Sequence, residues 1–401
     1  MHWLNTDRAI HPTLHGLRAL WLALIVAGCG GGVDSGGTGT TPASYANGPI
    51  TGFGSVIVNG VRFDDSNAVV TDDDGGGSSR DKLRLGMTTE IRGSAITPDA
   101  TGTLVSAASS IAFGSDILGR VDSLDLAAKR LVVLGQTVEV NAATVFDDES
   151  LSGGLPAVAV GDVVEVYALF NAATGRYTAT RMERKGEVAT YRLRGLVSNL
   201  DVVAKAFNIG SERISYAGFT GSAPVTPADG SFLRVRLQTT KVAGVWLVAA
   251  FKDGAPKPRD RDDVRLEGRI SSFISTTLFS VNGVAVNASA IGPVAGLALG
   301  VRVEVEGTAS DGVLLASKLK IKTEDEVGNQ EFKLIGQITS VDAANLRFVL
   351  RGVTVVYAVT APATDFRNGT AANLVKDANV EARGVLSADG VRLLAARITF
   401  K

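Results

Sequence analysis

Cysteine and histidine carry much of the nucleophilic, acid–base and metal chemistry of proteins. In this 401-residue chain cysteine occurs once, at Cys29, and histidine three times, at His2, His11 and His15. From residue 30 onward the chain has neither. What remains for chemistry is mostly carboxylate. Residues 70–81, VTDDDGGGSSRD, place Asp72 and Asp74 beside flexible glycines, and such oxygen donors suit calcium. The closing glutamate of an EF-hand is missing, and the composition favours a solvated loop. A second acidic turn, FDDES, occupies residues 146–150. Glu139 and Glu165 are candidates for a glycosidase pair, which needs its carboxyl groups about 5–9.5 Å apart; the sequence does not show that they meet. No G-x-x-x-x-G-K-[ST] phosphate loop occurs.

The position of Cys29 is more informative than its chemistry. Arg8 and Arg18 precede a short apolar run at residues 19–28, ALWLALIVAG, which is well under the ~20 residues of a membrane-spanning helix. A basic start, an apolar core and small residues before a cut describe a secretory signal. Val26, Ala27, Gly28 and Cys29 resemble the lipobox of bacterial lipoproteins. The resemblance implies cleavage before Cys29, lipidation of its thiol and acylation of the new amino terminus. Two or more acyl chains give stable membrane attachment where one does not. Gly30, in place of the aspartate that retains such proteins in the inner membrane, implies sorting to the outer membrane. Cleavage would also remove every histidine, excluding Ser-His-Asp and Cys-His catalysis, His/Cys zinc sites and disulfides. Residues 29–49, rich in Gly, Ser and Thr, read as a flexible tether.

The elements that must position any site come from internal repetition. A glycine followed two residues later by Val or Ile opens each of five units, at Gly54, Gly119, Gly195, Gly268 and Gly336. Three further landmarks follow in the same order. They are a V-x-G-x-x-V turn, an L-x-x-G-x-x-V-E-V-x-G strand and a G-x-x-x-A-x-x-I strand. Apolar residues alternate with polar ones, as in Val301, Val303 and Val305 against Arg302, Glu304 and Glu306. By the same pattern Val313, Leu315, Leu319 and Ile321 should oppose Lys318, Lys320 and Lys322. Asn59-Gly60 and Asn282-Gly283 are tight-hairpin signals. Each unit therefore has about five strands and little helix.

The fold class expected is all-β: a tandem array of five small five-stranded barrels of OB type, with small sandwiches as the alternative. The boundaries are 1–28 signal with its helix, 29–49 tether, then barrels over 50–114, 115–189, 190–257, 258–326 and 327–401. The third copy is least regular, with Ser211 and Glu212 where the turn is expected. These motifs resemble the bacterial domain of unknown function 5666, which occurs in tandem copies in secreted proteins and lipoproteins. That resemblance carries no activity and no catalytic residue.

With 40 basic and 41 acidic residues, the chain has no general electrostatic reason to bind nucleic acid. RMERK (181–185) and KLKIK (318–322) are candidate grips for an anionic polymer, but lysines on an outer strand face also guard against edge pairing. PKPRDRDD (256–263) reads as a linker. Trp246, flanked by Val245 and Leu247, is expected in a core. No cofactor or metal is expected beyond the calcium candidates. The expectation is a lipid-anchored, non-enzymatic binding or scaffolding array with an envelope polysaccharide or protein as partner. A passive spacer and a carboxylate hydrolase are the alternatives.

Overall fold

The computed structural model describes residues 43–72, 75–221, 225–260 and 262–401. Cys29, the signal segment and Asp74 lie outside the described residues. The five barrels belong to one compact unit, Thr40–Lys401.

Alternating patterns become strands wherever one face can be buried. The fourth barrel shows the plan most regularly, with strands Asp263–Phe273, Leu278–Val281, Val284–Asn287, Arg302–Ser310 and Val313–Ile321. The first strand pairs antiparallel with the second and the second with the third. The third runs parallel to the fifth, the fifth antiparallel to the fourth, and the fourth returns to the first. The ring is closed in the order 1-2-3-5-4-1, the connectivity of an OB barrel rather than a sandwich. The other four barrels, at 43–113, 117–185, 191–253 and 332–400, close the same way.

Two devices recur in all five copies. A bulge in the fifth strand puts one extra small residue opposite the fourth: Ser109, Thr180, Ala249, Ser317 and Ala396. Such bulges bend a strand and let a small barrel close. The second device is a turn before the fourth strand, where Gly86, Gly161, Gly230 and Gly300 adopt positive φ. Their N–H groups donate to the carbonyls of Ile50, Val121, Val197 and Ile270 in the first strand. The fifth copy makes this bond from Asp377 to Ile338, with Asp377 itself left-handed.

These bonds correct the register of the first copy. Ile50, not Val56, is the equivalent of Val121, so its opening glycine is Gly48 and not Gly54. Gly54-Ser55 is instead a tight turn after the first strand. The expected tether over 29–49 is accordingly too long at its carboxyl end. Ala43–Phe53 is a strand whose residues 44–50 are all buried. Small residues there permit close approach of other strands, which composition alone reads as looseness. The alternation in the fourth barrel also needs correction. Leu314 and Ala316 face inward and Leu315 is exposed, because the bulge at Ser317 shifts the phase before Leu319. In the third copy the turn does form, at Gly210-Ser211, with Gly210 at positive φ.

The barrels are not beads on a string. The first strand of barrel 1 pairs in parallel with that of barrel 4, from Ser44 opposite Asp263 to Asn47 opposite Leu266. Its other end pairs with barrel 5, Phe332–Asp342, at Gly52 opposite Lys333. The first strands of barrels 2 and 3, Ile117–Asp125 and Tyr191–Asp201, join antiparallel. Hydrogen bonding thus merges barrels 1, 4 and 5 into one system of 18 strands, and barrels 2 and 3 into one of 11. Cores are shared too. Tyr45 of barrel 1, fully buried, packs in the core of barrel 4.

Candidate functional site

The seam between barrels 1 and 4 is stitched by the hairpin asparagines. Asn59 Nδ2 donates to the carbonyls of Asn47 (2.9 Å) and Arg265 (3.0 Å). Asn282 Nδ2 donates to the Glu267 carbonyl (3.2 Å) and Asn47 Oδ1 (3.3 Å). Both adopt the left-handed backbone the turn requires. Their side chains fit because Gly48 and Gly268 lie beneath them: a Cβ at Gly268 would sit 2.3 Å from Asn282 Nδ2. A cleft of about 490 Å³ opens beside this seam. Asp116 and Arg194, which line it, are a buried pair at 3.0 Å.

A larger cleft, about 600 Å³, lies between barrels 1 and 2. One wall is the outer face of the fourth and fifth strands of barrel 2, Val163–Asn171 and Arg176–Lys185. Val164, Val166 and Met182 point into barrel 2, which sends Glu165, Tyr167, Arg181, Glu183 and Lys185 outward. The other walls include Arg84, Met87 and Phe113 of barrel 1 and the acidic turn at 147–150.

The outward residues form a ladder of ion pairs. Arg181 Nη2 donates to Asp147 Oδ1 (2.7 Å), its Nε to Glu183 Oε1 (2.6 Å), and its Nη1 to the Leu85 carbonyl of barrel 1 (3.3 Å). Lys185 Nζ bridges Glu183 (2.6 Å) and Glu165 (2.9 Å). Arg192 Nη1 donates to Ser115 Oγ (2.7 Å) and Glu165 Oε1 (3.3 Å). Burial opposes ionisation of Glu183, but Arg181 and Lys185 outweigh it and hold its carboxyl below the usual range. Burial likewise opposes the Lys185 charge, and Glu165 and Glu183 outweigh it and raise its pKa.

Tyr167 differs from its neighbours. It is 1 % exposed, and its ring packs in the core cluster that holds Leu83, Leu85 and Met87. Burial, then the charges of Glu165 and Glu183, keep its phenol well above the ordinary tyrosine range, so it remains a proton donor. Sequence reasoning passed over it. The signal was there: in the alternating stretch V-V-E-V-Y a tyrosine falls on the same face as Glu165, where a solvated strand would carry a polar residue.

The sequence candidates sort as follows. Asp72 lines both clefts and its Oδ1 accepts the N–H of Gly76 (2.7 Å), so it closes its own turn. Its partner candidate, Asp74, is outside the described residues. Among the described residues no three His, Cys, Asp or Glu side chains converge as a metal site. Glu139 and Glu165 are not brought together. Glu139 lies opposite Thr178 on one side of Arg176–Lys185, and Glu165 opposite Glu183 on its other side. Five residues of strand separate those levels, roughly 16 Å, beyond any glycosidase spacing. Glu139 is held by Arg176 at 2.8 Å. RMERK contributes buried ladder groups, not a free basic grip. Lys318 and Lys320 lie where the fifth strand of barrel 4 has run past its parallel partner, and pair with Glu306 and Glu326 at 2.9 Å each. That is the setting for edge guards. In the linker, Asp262 is buried and binds Arg92 of barrel 1 at 3.1 Å. Trp246 is buried, and its Nε1 donates to Glu212 (2.7 Å).

Three segments of the chain, residues 119–183, 267–320 and 335–399, match the family model described as Domain of unknown function (DUF5666). They fall on the second, fourth and fifth barrels. No curated protein matches the sequence.

Proposed function

We propose that this chain is a lipid-anchored bacterial envelope protein, held by Cys29 and sorted to the outer membrane, whose fused barrels form a non-enzymatic binding and scaffolding body for an envelope polysaccharide or protein. The observation that carries the binding reading is the charged cleft between barrels 1 and 2. Its walls come from separate barrels and are fixed by ion pairs, so it is pre-organised, which lowers the cost of ligand binding. The fusion of the barrels changes how the repeats act. They act as one compact unit with composite clefts and not as independent tethered modules. The anchor rests on Val26-Ala27-Gly28-Cys29 and the polar stretch after it.

Two measurements test this. Mass spectrometry of the protein from cells should find residues 1–28 gone and acyl chains on Cys29; a free thiol with the leader intact removes the anchor. Titration of the mature protein against envelope glycans and envelope proteins should find at least one ligand. Uniform absence of binding would leave the passive-spacer reading in its place.

A further inference from the structure

The cleft between barrels 1 and 2 holds many charges, yet its central ones are already spoken for. Lys185, Arg181 and Arg192 are each shared between carboxylates or between a carboxylate and another acceptor. A strongly charged ligand would have to break these pairs, and an unpaired buried charge is costly. What the ladder keeps in reserve is hydrogen bonding. A carboxylate has about four lone-pair sites, and the pairs described use only part of them.

Tyr167 is an independent sign of a ligand. It lines the cleft while only 1 % exposed, and its hydroxyl makes no hydrogen bond among the described residues. The hydroxyl is not one of the sealed, unpartnered atoms among the described residues, so it opens on the cleft. A hydroxyl at the wall of a cleft is satisfied by whatever enters. Ser78 and Ser150 stand on the same lining, and Met87 and Phe113 supply an apolar patch. The volume, about 600 Å³, falls in the roughly 300–1,000 Å³ span of small-ligand sites.

We infer that this cleft binds a neutral, hydroxyl-rich ligand, a short stretch of uncharged glycan, with the Tyr167 hydroxyl and the spare carboxylate lone pairs of Glu165 and Glu183 meeting sugar hydroxyls. Sugar hydroxyls both donate and accept, so they fit a wall that carries carboxylate acceptors and hydroxyl donors side by side. The C–H face of a sugar ring suits Phe113 and Met87. The assignment rests on the binding reading above and narrows it to one site and one ligand class.

The test is calorimetric titration of the full mature chain with maltohexaose, cellohexaose and hexa-N-acetylchitohexaose, and with heparin as the charged comparison. At least one neutral hexasaccharide should bind, with an affinity that changes little between low and high salt, because no net charge is exchanged. Tyr167→Phe should weaken that binding about tenfold, the value of one hydrogen bond. The same variant should unfold at an unchanged or higher temperature, since the hydroxyl it removes has no partner in the protein. Loss of stability in Tyr167→Phe, or unchanged affinity for the sugar, overturns the assignment. So does failure of all three neutral sugars to bind. If heparin or an envelope protein binds in that case, the general binding reading stands without this site; if nothing binds, both fall.

Discussion

Barrel 1 meets barrel 4 and barrel 2 in opposite ways. Against barrel 4 it extends a sheet. Backbone groups pair from Ser44 to Asn47, the Tyr45 ring enters the neighbouring core, and two asparagines cross-stitch the seam. Against barrel 2 it makes local contacts, with Arg181 reaching the Leu85 carbonyl, the Tyr167 ring in its core cluster and Gly86 close against Thr180, and a cleft is left beside them. The first junction is made backbone to backbone, with Asn59 Oδ1 and Arg265 Nε left without a partner, and the second is made by side chains beside a larger cleft. On the proposed binding reading, permanence and recognition fall to different faces of one barrel.

The comparison can be broken at the seam first. Tyr45→Ala removes a fully buried aromatic ring that belongs to the core of barrel 4. Urea unfolding should show a loss of about 3–5 kcal/mol. A loss under about 1 kcal/mol would mean the seam is incidental. Next comes the cleft. Arg181→Ala strips Asp147 and Glu183 of their guanidinium, and Glu183 is nearly buried. About 3 kcal/mol should be lost, less than at the seam because Lys185 still serves Glu183. An equal or larger loss than for Tyr45→Ala would reverse the ranking of the two junctions.

The smallest effect is a pH dependence beside the seam with barrel 5. Burial raises the Glu381 pKa, but hydrogen bonds from Lys401 and Arg383 and the charge of Lys333 outweigh it and bring it from 4.5 down to about 2. Because the folded value is the lower one, the unfolded chain binds the proton first, and this stabilisation is complete above about pH 4.5. It should fade as pH falls from there toward 2. Glu381→Gln should flatten that part of the stability profile, as read by thermal unfolding between pH 2 and 6. An unchanged acid slope would show that Glu381 is not the group responsible.

The barrels were legible in the sequence because they are local. Alternation marks each unit, Asn-Gly turns mark the first and fourth, and a glycine before the fourth strand marks all but the fifth; the closed all-β fold follows from them. What was hidden depends on partners distant in the chain. The strand Ala43–Phe53 reads as tether because its glycine, serine and alanine are small, and smallness is what a strand flanked by other strands requires. The shift of phase at Ser317 was invisible because a bulge costs one residue and leaves the composition unchanged. The cleft was half legible: both acidic turns and RMERK stand out, but that they share one cavity follows only from how barrels 1 and 2 dock. Tyr167 was masked by its hydrophobic surroundings.

The seam between barrels 1 and 4 also sets an order of events. Asn59 and its acceptor on Arg265 are 206 residues apart. A polypeptide emerging amino terminus first completes its leading barrel long before the strand that will cover it exists. During that interval Ser44–Asn47 offers bare N–H and C=O groups to any other extended segment. That exposure lasts until nearly two-thirds of the protein has been made, when the arrival of the fourth repeat ends it.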